Sequence, residues 1–153
     1  MSGAPSLHIT IDHREVASGI PDLLRSQGVS LEVEQLDMGD YLLGNGVAIE
    51  RKTVADFAQS IVDRRLFSQA EDLVTSFQTV VYLLEDPAID AGHNLHPNAM
   101  RGAISYLVVL AGVSLMPSRD AEDSAKLIGT MARHVQHGLG YEISLHRSRR
   151  ATS

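Results

Sequence analysis

Apolar and polar positions alternate along this chain in two rhythms, one of period two and one of period 3.6. Leu7-His-Ile-Thr-Ile11 alternates every second residue, as does Leu31 to Leu36, so both predict strands with one buried face. Ile20 to Gln27 reads as a short helix, with Pro21 in its first turn and Gly28 as a stop. Two short runs, Asp40 to Leu43 and Val47 to Lys52, flank Gly44-Asn45-Gly46. That triplet predicts a hairpin, because Gly and Asn tolerate the positive φ of tight turns. Thr53 to about Phe77 is helical, with Thr53 as N-cap and a break near Asp63. Thr79 to Leu84 is apolar without alternation, as an interior strand is. Asp86 to Pro97 is a polar loop, Asn98 to Ala111 a helix apolar nearly all round, and Val113 to Met116 a short strand. An amphipathic helix, Asp120 to His137, ends at Gly138 and Gly140; a last strand, Tyr141 to Leu145, and a basic tail, Arg147 to Ser153, follow.

The order β-α-β-β-β-α-α-β-α-β-α-β predicts one α/β domain over residues 1–146, a mixed sheet with helices on both faces, and a tail at 147–153 outside it. Composition agrees: 44% apolar and 21% charged residues suit a globular chain. No apolar run approaches the ~20 residues of a membrane span. Met1-Ser-Gly-Ala-Pro5 lacks the basic and apolar regions of a secretory signal, and the absence of cysteine excludes disulfides and thiolate zinc sites, so a cytoplasmic setting is expected. His93, His96, His134 and His137 do not offer zinc its usual set of ligands.

The net charge of −6 argues mildly against a nucleic-acid partner, but its distribution argues the other way. Of thirteen basic residues only Lys52 and Lys126 are lysines; the arginines cluster at Arg51, at Arg64-Arg65 and in the tail. Arg suits bidentate phosphate contacts.

Glu50 and Lys52, two apart on a strand, share a face. Asp40 joins them or not according to the hairpin. With a two-residue loop, Asn45-Gly46, residue 44 pairs with 47 and Asp40 faces Arg51. With a three-residue loop, Gly44-Asn45-Gly46, residue 43 pairs with 47 and Asp40 sits across from Glu50. Three-residue loops commonly end on a left-handed residue, a place Gly46 fits, so the second register is expected. Two carboxylates so close repel unless a cation lies between them. Mg²⁺ or Mn²⁺, hard ions with oxygen ligands, would resolve the repulsion and activate a phosphodiester, with Lys52 stabilising the transition state. A solvated hairpin with no such role is the bland alternative for the three residues alone.

The neighbours narrow the choice. Gly39-Asp40-Tyr41 followed by Glu50-Arg51-Lys52 and Asp56 resembles the G-D-x-n-E-R-K-x-x-x-D pattern of the XPF-family nucleases. Ile11-Asp12-His13-Arg14-Glu15 is similar to the family's early V-D-x-R-E segment, and Arg65-Leu66-Phe67-Ser68-Gln69 to its R-L-x-x-Q stretch. Ala103 onward, with Gly112-Val113, Glu122 and Ala125, looks like its closing helix-strand-helix. These motifs span residues 7 to 137 in order.

The resemblance implies a restriction-endonuclease-like core and cleavage of branched DNA (3′ flaps, forks, junctions) to 5′-phosphate and 3′-hydroxyl ends, in repair or recombination near the nucleoid or nucleus. Asp40 and Glu50 would hold Mg²⁺ or Mn²⁺, with Asp12 near the ion, and Lys52 would be catalytic. Arg51 and Asp56 would line the site. Arg14, Glu15, Arg64, Arg65 and Gln69 would meet DNA. The chain departs from the family in showing Arg64 where Gly is usual, which predicts a different local turn, and in leaving no room for a tandem helix-hairpin-helix module. A separate DNA-binding partner would then supply affinity. The all-round apolar helix 98–111 must bury more than one face, and with helix 120–137 beside it a homodimer is expected through the pair. A non-catalytic scaffold within a nuclease heterodimer, and a nuclease for four-way junctions, duplex or RNA, are the competing readings.

Overall fold

The computed structural model describes residues 6–86 and 95–138. Strand β1 (Leu7–Asp12) runs into a 3-10 helix (His13–Ser18), then α1 (Ile20–Ser26) and β2 (Val29–Glu34). Next come β3 (Tyr41–Gly44), β4 (Val47–Thr53), α2 (Val54–Val62), α3 (Arg65–Ser76) and β5 (Thr79–Glu85). Last are α4 (Pro97–Ser105), a π-helical extension (Tyr106–Ala111), β6 (Ser114–Ser118) and α5 (Ala121–His137). The strand at 141–145, the tail and His93 lie outside the described residues.

The sheet has the order β2-β1-β3-β4-β5-β6. Only β3 runs antiparallel to its neighbours. The right-handed rule for parallel crossovers then decides which helix covers which face. The links β4-α2-α3-β5 and β5-α4-β6 step the same way across the sheet, so their helices share one face. The link β1-α1-β2 steps the opposite way, so α1 covers the other face, where α5 joins it. Two cores result. Ile9, Ile11, Leu24, Leu43, Ile49, Leu83, Ala125 and Ile128 fill one. Phe57, Leu66, Ala70, Tyr82, Met100, Ala103 and Leu107 fill the other. Helices 98–111 and 120–137, expected side by side, therefore lie on opposite faces. The chain reaches the sheet edge at β6, where Pro117 is tolerated, and turns back beneath.

Helix starts follow their caps. The Thr53 hydroxyl accepts from the Asp56 amide at 3.1 Å, and the Asp120 carboxylate accepts from the Asp123 amide at 2.8 Å. The long helical stretch breaks at Asp63, as expected. The turn after it holds Arg64 at φ +61°, ψ +23°, the left-handed region. The turn has a backbone that glycine would adopt freely. Arginine accepts the conformation at a cost of about 1 kcal/mol. Helix 98–111 buries one face within this chain. Met100, Ala103 and Leu107 are buried on one face, whereas Val109 and Leu110 are 73% and 77% exposed.

Candidate active site

The hairpin settles where Asp40 points, by a route that neither register anticipated. Gly44 pairs with Val47, so the loop is the two-residue Asn45-Gly46, with φ +52° and +77°, not the expected three-residue loop. The register then shifts between Leu42 and Gly44, and Leu42 pairs with Ala48 and Tyr41 with Ile49. This bulge absorbs one residue and restores the pairing that sets Asp40 opposite Glu50. Gly39, at φ +81°, delivers Asp40 to the strand end; the left-handed backbone, rather than lack of space, favours glycine there. The Asp40 amide donates to the Ile49 carbonyl at 2.9 Å, and its carboxylate accepts from the Arg51 amide at 2.8 Å.

Asp40, Glu50 and Lys52 thus share a face. They line an open cleft of about 360 Å³ together with Arg14, Glu15, Arg51, Arg65 and Gln69. Lys52 Nζ lies 3.6 Å from Glu50 Oε2, both side chains largely buried. Burial, aided by the charges of Glu50 and Glu15, pushes the Asp40 pKa up to about 8, against the pull of the Arg51 amide and Lys52. Burial raises Glu50 too, while Lys52 opposes. Two acids are therefore packed together with too little positive charge to hold both ionised, the condition a bound cation relieves.

Arg51 borders the cleft, but its guanidinium is held by carboxylates. Its guanidinium binds Glu85 through Nε–Oε1 at 2.9 Å and Nη2–Oε2 at 2.8 Å, and approaches Glu15 at 3.3 Å. Burial opposes its charge, but the two carboxylates outweigh burial and raise its pKa. Tyr41 donates its hydroxyl to Glu15 at 2.5 Å. Ser124 of α5 donates to Glu85 at 2.7 Å and touches Ser118 at 2.6 Å. This buried chain pins β4 from behind, which fixes the two residues either side of Arg51 on the cleft face.

Asp12 is engaged by its own neighbours. One carboxylate oxygen accepts from the Leu36 amide at 2.9 Å, and the other from Arg14 Nε at 2.6 Å and the Arg14 amide at 3.2 Å. Burial opposes that charge, but the Arg14 bond and the two amides prevail and hold Asp12 below the usual carboxylate range. It aims Arg14, whose own pKa is raised by the Asp12 bond first and by the charges of Asp40 and Glu50 further on. Among the described residues no group of three acidic or histidine side chains converges as a metal cage. A Mg²⁺-like ion, which keeps several waters and takes one or two carboxylates, fits Asp40 and Glu50 without a third. Asp56, exposed in the first turn of α2, and Arg64 are not in the cleft wall, whereas Asp37, Asp72 and Leu73 are.

Glu85, Ser124 and Tyr82 belong to no motif that marks them in the sequence. A charge closing an otherwise apolar interior strand was the available sign for Glu85, since sites in parallel sheets gather at strand C-termini. Ser124, on the buried stripe of α5 with Ile128, was legible as a polar residue at a core position.

The family description "ERCC4 domain" matches residues 11–131. The chain is 32% identical over 150 residues to the 3′-flap repair endonuclease Xpf of Saccharolobus solfataricus, covering 96% of this chain and 64% of that protein. It is 27% identical over 133 residues to the DNA repair endonuclease UVH1 of Arabidopsis thaliana, covering 80% of this chain and 14% of the relative. The fold superposes with a TM-score of 0.78 on XPF from Aeropyrum pernix in complex with DNA, at 35% identity, over 83% of this chain and 64% of that one. The chain therefore spans less than two thirds of the length of these relatives.

Proposed function

Since this chain belongs to the XPF family of nucleases through its ERCC4 domain, we propose that it cuts DNA as a divalent-metal-dependent endonuclease. Its substrates are branched DNA such as 3′ flaps, forks and junctions, and its setting is repair or recombination. One placement carries this reading: Asp40 and Glu50 side by side with Lys52, in a cleft bordered by Arg14 and Arg65. The printed name of the Saccharolobus relative, a 3′-flap repair endonuclease, supports the substrate class.

Asp40 and Glu50 would hold the ion. When bound, Mg²⁺ or Mn²⁺ supplies polarisation of the phosphoryl oxygen and a water of lowered pKa. Lys52 sets a positive charge where the pentavalent phosphorus gathers negative charge. Arg14, aimed by Asp12, and Arg65, with Arg64 beside it, hold backbone phosphates along the cleft and position the scissile bond. Gln69 offers an amide to the same strand. Arg51, Glu15 and Glu85 keep β4 in place. The exposed Val108, Val109 and Leu110 make the surface on which we place pairing with a second copy, and a separate partner can add duplex affinity. No helix of the described residues is long and apolar enough to cross a membrane, and we place the protein with DNA in the cytoplasm or nucleus.

The test is cleavage of labelled flap, fork and duplex DNA in Mg²⁺ or Mn²⁺. Wild type should cut the branched substrates, and Asp40→Ala or Glu50→Ala should reduce the rate by about 10³-fold or more, the scale lost with a central electrostatic group. Cleavage that survives either change removes this site from the mechanism.

A further inference from the structure

Two side-chain polar atoms among the described residues are buried without a hydrogen-bond partner: the Gln69 carboxamide oxygen and the Tyr82 hydroxyl. An unpaired buried hydroxyl costs about 1–3 kcal/mol, so its presence calls for a partner that arrives in another state of the molecule. Tyr82 is wholly buried, at 0% exposure. On β5 it pairs in register with Glu50 on the parallel neighbour β4. Alternation puts both side chains on the same face: Tyr82 packs in the core with α2, α3 and α4, whereas Ile49 and Leu83, one residue on, pack in the other. Burial first, then the charges of Glu50, Tyr106 and Asp40, push the phenol pKa up, so the group remains a neutral donor throughout the working range. Glu50 also pairs with Lys52, at 3.6 Å.

We propose that Tyr82 is a positioning residue for Glu50, donating its hydroxyl to the Glu50 carboxylate when a divalent cation is held between Asp40 and Glu50. The inference rests on the metal reading of the cleft given above. A carboxylate that ligates an ion needs its orientation fixed by a second hydrogen bond, and losing such a bond typically weakens the site by about 10- to 100-fold. The phenol is the neutral donor stationed on the adjacent strand. Its lack of a partner in the ion-free state is the stability given up to have it there.

Tyr82→Phe isolates the hydroxyl, because the ring and its packing stay. Two measurements decide the matter: urea unfolding without metal, and Mn²⁺ affinity by titration calorimetry, with Asp40→Ala as the reference for loss of the site. The expected result is a metal-free variant at least as stable as wild type that binds Mn²⁺ about tenfold more weakly. Unchanged Mn²⁺ affinity in Tyr82→Phe, where wild type binds and Asp40→Ala does not, overturns the role of Tyr82 and leaves the metal site standing. A metal-free variant less stable than wild type overturns it too, since the hydroxyl would then already be paired. If wild type binds no Mn²⁺, or Asp40→Ala binds as well as wild type, the metal reading fails and takes this inference with it.

Discussion

The proposed ion site would couple binding to the loss of a proton, and the coupling can be sized. Burial and the facing acids set the Asp40 pKa at about 8, so at pH 7 roughly nine-tenths of the metal-free protein carries a proton there. A cation takes only the carboxylate, and must displace that proton. Raising the pH from 6 to 8 lifts the ionised fraction from about 1% to about half, so Mn²⁺ affinity should rise about 50-fold over that span. Calorimetry at pH 7 in buffers of different ionisation enthalpy should report net proton release on ion binding. Glu15→Gln removes one of the charges that raise Asp40, so it should shrink both quantities. The stability of the metal-free protein carries the opposite sign. A carboxyl raised on folding stabilises below its unfolded value of 3.8, and that stability is lost as the pH climbs through 8, so Asp40→Asn should raise the melting temperature at pH 8. Asp12 and Glu85, both depressed, contribute the reverse: stability present above their ordinary values and lost as the pH falls. Affinity that stays flat between pH 6 and 8, with no proton released, would refute this picture of Asp40.

Three further outcomes follow from the same geometry. Glu85→Ala leaves the buried Arg51 with Glu15 alone and should lower unfolding free energy by about 3 kcal/mol in urea titrations, together with cleavage, as the strand between Glu50 and Lys52 loosens. Arg64→Gly relieves a left-handed arginine and should stabilise by about 1 kcal/mol, while weakening DNA binding at low salt in fluorescence anisotropy. Leu110→Asp places a charge on the exposed apolar ridge, and in sedimentation velocity it should convert a dimer to monomer with the far-ultraviolet circular dichroism unchanged.

Local chemistry made most of the elements legible. Thr53, Pro21 and Gly138 marked helix ends through hydrogen-bond needs that do not depend on tertiary contacts. The grouping of Asp40 with Glu50 was anticipated, but through the wrong turn. A bulge between Leu42 and Gly44 changes register without any residue type that announces it. The all-round apolarity of 98–111 predicted burial beyond one face; the sheet covers one face, and Val109 and Leu110 are exposed within the single chain. The side-by-side placement of helices 98–111 and 120–137 failed because crossover handedness, a property of the assembled sheet, assigns them to opposite faces. The hydrogen bonds that Asp12 accepts from Leu36 and Arg14 were not legible, since sequence shows a carboxylate but not its partners. Glu85, Ser124 and Tyr82 escaped because their roles arise from neighbours distant in the chain.

The central claim is that Asp40 and Glu50 share one hard cation. Anomalous diffraction from a Mn²⁺-loaded crystal tests it most directly. A single strong manganese peak is expected between those two carboxylates, at about 2.0–2.3 Å from an oxygen of each, with Lys52 alongside. A peak bound elsewhere in the cleft, or none between these acids at saturating Mn²⁺, would contradict it.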